Sequence, residues 1–88
     1  MNIALIGLGS MGYNLAKNMV SKNYQVNAFE KNMLIAENIK NDNIQNLYLL
    51  NSIQDLVDKT PSPRIIMLSL PADKIDKCIN DLIDHLNP

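Results

Sequence analysis

Six residues near the N-terminus constrain this chain more than any others. Ile3-Ala4-Leu5-Ile6 is an unbroken apolar run, and Gly7-Leu8-Gly9-Ser10-Met11-Gly12 follows it directly. A helical pattern then starts, with Leu15, Ala16, Met19 and Val20 on one face and Asn14, Lys17, Asn18 and Lys22 on the other. A strand from Asn2 to Ile6 without polar alternation suits burial on both faces, as in a parallel sheet. Parallel strands need a long crossover between them, so such a strand followed at once by a helix commits the chain to βαβ units. The glycines have separate tasks. Gly7 ends the strand and permits the tight reversal, Gly9 lets a ligand approach the backbone closely, and Gly12 lets the helix over about 10–22 lie against the strand.

The remainder repeats the strand-helix unit. Asn23 stands where a left-handed helix stop is expected. Gln25 to Phe29 reads as strand two, ending at Glu30. Asn32 can cap a helix from Met33 to Lys40, and Asn41-Asp42-Asn43 is a loop by composition. Leu47 to Leu50 reads as a short third strand. Ser52 with Asp55 resembles a capping pair for a helix burying Ile53, Leu56 and Val57. Pro61-Ser62-Pro63 breaks the chain. Strand four runs from Arg64 to Leu70 and stops at Pro71. The last helix, about Asp73 to Leu86, places Ile75, Cys78, Ile79, Leu82, Ile83 and Leu86 on one stripe. The sum is βαβαβαβα with short connections. That pattern predicts an α/β fold: one domain over residues 1–88, a Rossmann-type doubly wound parallel sheet in the order 3-2-1-4, with helices on both faces. In that order strand four is an open edge, and the expectation is weak stability, self-association into a homo-oligomer, or both.

The glycine turn sits where the dinucleotide fingerprint requires it, between the first strand and the first helix. The free N–H groups and positive dipole end of that helix would face a pyrophosphate. Glu30 lies 18 residues beyond Gly12, and an acid about 20 residues on, at the end of strand two, can accept the ribose hydroxyls of an adenosine. Glu30 would repel a 2′-phosphate and favours NAD, whereas the adjacent Lys31 could meet that phosphate and favours NADP. The balance leans slightly to NAD. Other candidates carry plainer readings. Cys78 on the apolar stripe reads as a small core residue, and no second Cys supports a zinc site or a disulfide. His85 reads as a surface residue favoured by the helix dipole. Tyr13 could cover a cofactor or simply pack. The Ser10 hydroxyl could touch a phosphate, but the turn should bind through backbone N–H groups, so Ser10→Ala should matter little.

Composition narrows the rest. A formal net charge of -1 without a basic block argues against a nucleic-acid or membrane surface. The N-terminal apolar stretch is too short for a signal peptide or a membrane span. With one cysteine among the residues, a cytoplasmic location is expected. Aromatics make up only 5% of the chain, so Leu, Ile, Val and Met must fill the core.

The stretch from Ile3 to Met19, with its Gly7-Leu8-Gly9-Ser10-Met11-Gly12 core, resembles the N-terminus of the β-hydroxyacid dehydrogenases. Asn14-Leu15 and Asn18-Met19 are similar to the 6-phosphogluconate dehydrogenase branch; the 3-hydroxyisobutyrate branch more typically has Pro at the position of Asn14. Ser52-Ile53-Gln54-Asp55-Leu56-Val57 and Pro63-Arg64-Ile65-Ile66-Met67-Leu68 resemble the same branch. The resemblance implies cofactor contacts at Gly7, Leu8, Gly9, Ser10, Met11 and Gly12, at Glu30, Lys31 and Asn32, and at Ser69, Leu70 and Pro71. It implies NAD or NADP as cofactor. NADP-preferring members carry Asn-Arg-Thr where this chain has Glu30-Lys31-Asn32. It also implies an oxidative decarboxylation of 6-phosphogluconate to ribulose 5-phosphate, in the pentose phosphate pathway, by the complete enzyme. The family's substrate segment and helical domain, which carry its catalytic lysine and glutamate, have no counterpart here. No catalytic and no metal-binding residue is therefore assigned, and the chain alone is expected to be inactive. Two other readings stay open: the cofactor domain of another β-hydroxyacid dehydrogenase, and a non-enzymatic NAD-sensing regulatory module.

Overall fold

A computed structural model describes residues 2–62 and 64–85. Four strands and four helices alternate: β1 Asn2–Ile6, α1 Ser10–Ser21, β2 Val26–Phe29, α2 Met33–Asn41, β3 Leu47–Leu49, α3 Ile53–Asp58, β4 Arg64–Leu68 and α4 Ala72–His85. The strands form one parallel sheet in the order β3-β2-β1-β4. This is the predicted Rossmann-type arrangement. Element ends move by a residue or two. The last strand stops at Leu68, which leaves Ser69, Leu70 and Pro71 in the turn beyond it.

The apolar run of β1 is explained by two cores. Ile3 and Leu5 point to one face of the sheet, where they join Ala16 of α1, Val26 and Ala28 of β2 and Ile39 of α2. Ala4 and Ile6 point to the other, against Leu56 and Val57 of α3 and Cys78 and Leu82 of α4. Successive side chains of a strand alternate between faces, so a central strand covered twice must be apolar throughout. Asn27 of β2 is a polar exception. Its amide donates to the Lys59 carbonyl at 2.9 Å and to the hydroxyl of the fully buried Thr60 at 3.0 Å. Those bonds tie the end of α3 to the sheet and satisfy both polar groups.

Local signals act as read. Asn23 has φ 72, the left-handed stop after α1. Asn32 Oδ1 accepts from the N–H groups of Leu34 and Ile35, and Ser52 Oγ accepts from the Asp55 N–H. Each side chain thereby satisfies backbone donors that the first helical turn leaves open.

One stripe differs from expectation, and one apolar residue of α2 stands apart. Leu34 is 77% exposed, while Ile35 and Ile39 face the sheet. Position 34 lies in the first turn of α2, on the side away from the sheet. Among the described side chains of α4 only Cys78 and Leu82 are buried, whereas Ile79 is 40% and Ile83 61% exposed. The helix meets the sheet and α3 along a narrow line, and β4 is the last strand on that side, so the wider apolar stripe has too little surface to cover it. Leu86 of that stripe, and the side chain of His85, lie outside the described residues. No described helix is long and apolar enough to cross a membrane.

Candidate functional site

The three turns at the C-terminal ends of β1, β2 and β4 meet because their strands are adjacent and parallel. Open α/β sheets bind ligands at such edges, where successive crossovers leave in opposite directions. Here α1 leaves toward one face and α4 toward the other.

Backbone bonds hold the glycine turn in place. The Gly7 N–H donates to the Phe29 carbonyl at 2.9 Å, and the Ser69 N–H donates to the Ile6 carbonyl at 2.8 Å. Gly7 has φ +99, and a Cβ built there would lie 2.1 Å from the Ser69 carbonyl oxygen. A Cβ at Gly12 would lie 2.1 Å from the Gly7 carbonyl oxygen. Both positions are therefore required by the chain's own packing. Gly9 is different. It is the N-cap of α1 at φ -64, a conformation open to any residue, and a Cβ there would have nothing within 4 Å. The folded chain gives no internal reason for glycine at position 9. The absent Cβ opens the approach to the first turn of α1, whose leading N–H groups have no partner within the helix and no side-chain cap.

Glu30 links this turn to the next. Its Oε1 accepts from the Leu8 N–H at 2.6 Å and its Oε2 from the Asn32 N–H at 2.8 Å. Both oxygens face donors, so an amide would set an N–H against an N–H. A carboxylate oxygen has a second acceptor site, which leaves capacity for hydroxyl donors from a ligand.

Between the turns lies a cleft of about 540 Å³. Ligand sites commonly span about 300–1,000 Å³. Phe29, Ile35, Ile53 and Leu70 give it apolar walls, while Gly7, Glu30, Lys31, Asn32 and Pro71 line its rim. Ile6 of β1 lines it too, and α4 adds Lys74, Lys77, Cys78 and Asp81. Burial pushes the Cys78 thiol pKa up, and Asp81 adds to the rise, so the thiol is a poor nucleophile.

Of the residues picked from the sequence, Gly7, Glu30, Lys31, Asn32, Leu70 and Pro71 share this cleft. Gly9, Ser10 and Met11 are exposed at the start of α1, outside the cleft lining. The Leu8 side chain is only 2% exposed and belongs to the core, so its position can meet a ligand through backbone alone. Ser69 holds the turn through its backbone. Tyr13 does not reach the cleft. Its hydroxyl donates to Asp42 at the end of α2, and the Lys17 ammonium sits 4.5 Å from its ring centroid.

The α4 residues were missed as site residues, because their spacing marks a shared face without saying what that face meets. Positions 74, 77, 78 and 81 share one helical face, and α4 follows the strand next to β1. No group of three or more His, Cys, Asp or Glu able to hold a metal occurs among the described residues.

Comparison with known proteins agrees with this geometry. The family described as the NAD binding domain of 6-phosphogluconate dehydrogenase matches residues 2–88. Among similar proteins is a decarboxylating 6-phosphogluconate dehydrogenase of Buchnera aphidicola (subsp. Acyrthosiphon pisum), 35% identical over 86 residues; the match covers 96% of this chain and 18% of that protein. The enzyme of the same name from Ceratitis capitata is 38% identical over 90 residues, covering 99% of this chain and 19% of its own. That of Staphylococcus aureus strain N315 is 38% identical over 90 residues, covering 97% and 19%. The chain thus spans about a fifth of the length of these relatives.

Proposed function

The chain belongs to the NAD-binding domain family of 6-phosphogluconate dehydrogenase, and from that membership we propose that it is the cofactor-binding part of such an enzyme. The pyrophosphate of a nicotinamide dinucleotide lies over Gly9 to Gly12, the adenosine enters the cleft, and Glu30 accepts from the ribose hydroxyls. The observation that carries this reading is Gly9, a glycine that the packing of the chain does not itself require. The open first turn of α1 supplies N–H donors and the positive end of a helix dipole, which suit a phosphate.

The division of labour follows from placement. Gly7 and Gly12 keep the turn flat against β4 and α1. Glu30 fixes the turn through the Leu8 N–H and offers its remaining acceptor sites to the ribose. Phe29, Ile35 and Ile53 exclude water from an adenine face. Ser69 to Pro71 guide the chain at the end of β4, on the nicotinamide side. When bound, the nicotinamide ring supplies hydride acceptance. In the complete enzyme this accompanies oxidative decarboxylation of 6-phosphogluconate. Residues that move substrate protons are not assigned on this chain, and the protein's share here is binding and orientation.

Glu30 favours the free 2′-hydroxyl of NAD over a 2′-phosphate. Calorimetric titration of NAD and NADP into the chain, and into Glu30→Ala, tests both parts of the reading. One molecule of NAD per chain is expected, with Glu30→Ala weakening NAD far more than NADP. Absence of any binding by the parent chain would reject it.

A further inference from the structure

Three cations line the cleft against two acids. Lys31 enters from the turn after β2, and Lys74 and Lys77 enter from α4, one turn apart; Glu30 and Asp81 are the acids. The two oxygens of Glu30 are held by separate N–H donors, so its charge stays at the ribose edge of the site. A fixed anion there rejects a 2′-phosphate. The three lysines are exposed, and their long stems let each ammonium move to meet an oxyanion.

We propose that Lys74 and Lys77, together with Lys31, form a cationic wall that offsets Glu30 toward a 2′-phosphorylated adenosine, so that the cleft accepts both the 2′-hydroxyl and the 2′-phosphate form of the cofactor. This rests on the adenosine end occupying the cleft. Two of the three charges sit on α4, the helix that follows β4, not in the turn after β2 where an adenosine preference is usually sought. Glu30 contributes the hydroxyl contact, and the lysines contribute charge-assisted bonds to the phosphate. In a water-filled cleft each lysine acts through a screened field, so the pair is expected to shift the affinity ratio by about tenfold.

The test titrates the chain with 5′-AMP and with adenosine 2′,5′-bisphosphate, which differ only in the 2′-phosphate. The parent is expected to bind both, with affinities within about tenfold of each other, and Lys74→Gln/Lys77→Gln should lower the bisphosphate-to-AMP affinity ratio about tenfold. Added salt should shrink the difference between parent and variant. Gln is a good helix former at these exposed positions, so circular dichroism should show an intact fold. Equal loss of both nucleotides would place the lysines on the shared 5′-phosphate and overturn the proposal. An unchanged ratio would overturn it as well. If the parent binds neither nucleotide, the cofactor reading itself fails.

Discussion

Substituting alanine at each of the three glycines in turn should separate what the fold needs from what the ligand needs. At Gly7 an alanine must adopt φ +99 and place its Cβ 2.1 Å from a backbone oxygen of Ser69. The left-handed or more extreme conformation costs about 1–3 kcal/mol. The overlap adds about 1–3 kcal/mol, because the opposing atom is backbone anchored by the Ser69-to-Ile6 bond. Gly7→Ala should therefore lose about 2–6 kcal/mol, which in a domain of this size lowers the melting temperature by about 8–48 °C. At Gly12 the overlap with the Gly7 carbonyl is similar, but alanine gains up to about 1 kcal/mol of helix propensity. A net loss of about 0–2 kcal/mol is expected there. At Gly9 nothing stands within 4 Å. Loss of a favoured N-cap glycine and reduced freedom of the unfolded chain nearly cancel, leaving stability within about 0.5 kcal/mol of the parent. Nucleotide affinity should nevertheless fall about tenfold or more in Gly9→Ala, as a methyl group occupies the phosphate approach. Urea denaturation followed by circular dichroism gives the stabilities, and calorimetry gives the affinities. The reasoning is refuted if Gly9→Ala is destabilised as much as Gly7→Ala, or if it binds dinucleotide as the parent does.

Further expectations concern single side chains. Glu30→Ala should cost about 1–3 kcal/mol, because the Leu8 N–H it leaves belongs to a buried residue, whereas the Asn32 N–H can turn to water; an unchanged urea midpoint would contradict this. The hydrogen bond from Tyr13 to Asp42 pushes the phenol pKa up to about 12, with burial and the Asp42 charge adding to the rise. A phenol raised in the folded state favours the protonated form there, so this contribution is complete below about pH 10 and is lost between pH 10 and 12. Following phenolate absorbance, Asp42→Asn should bring that ionisation back toward pH 10. Ser52→Ala should cost about 1 kcal/mol by removing the acceptor for the Asp55 N–H, visible as a lower melting temperature.

The sheet order was legible because β1 is apolar from Ile3 to Ile6 and each strand is followed by a helix within a few residues. The caps were legible because Asn32, Ser52 and Asn23 act on their own neighbours. What could not be read was lateral. Nothing in the spacing of Lys74, Lys77 and Asp81 distinguishes a solvated helix face from a cleft wall; only the docking of α4 beside the turn after β4 decides it. The same docking leaves Ile79 and Ile83 outside a core that the helical stripe alone seemed to promise. Glu30 was read as a ligand contact; its bond from the Leu8 N–H of the neighbouring turn depends on a strand pairing no local pattern encodes. Tyr13 shows the reverse case. Its place beside the glycines left cofactor contact and packing both open, and its bond to Asp42 turns it away from the cleft.

The most direct measurement is a map of backbone amide shifts by nuclear magnetic resonance as NAD is added. The largest changes should fall on Gly9 to Gly12, on Leu8 and Asn32 through Glu30, and on Leu70 and Lys74 at the far wall of the cleft, with one molecule bound per chain. Changes centred instead on the smaller cavity between α2 and β3, lined by Ile39, Lys40 and Leu47, or no changes at millimolar nucleotide, would contradict the assignment of the glycine turn as the cofactor site.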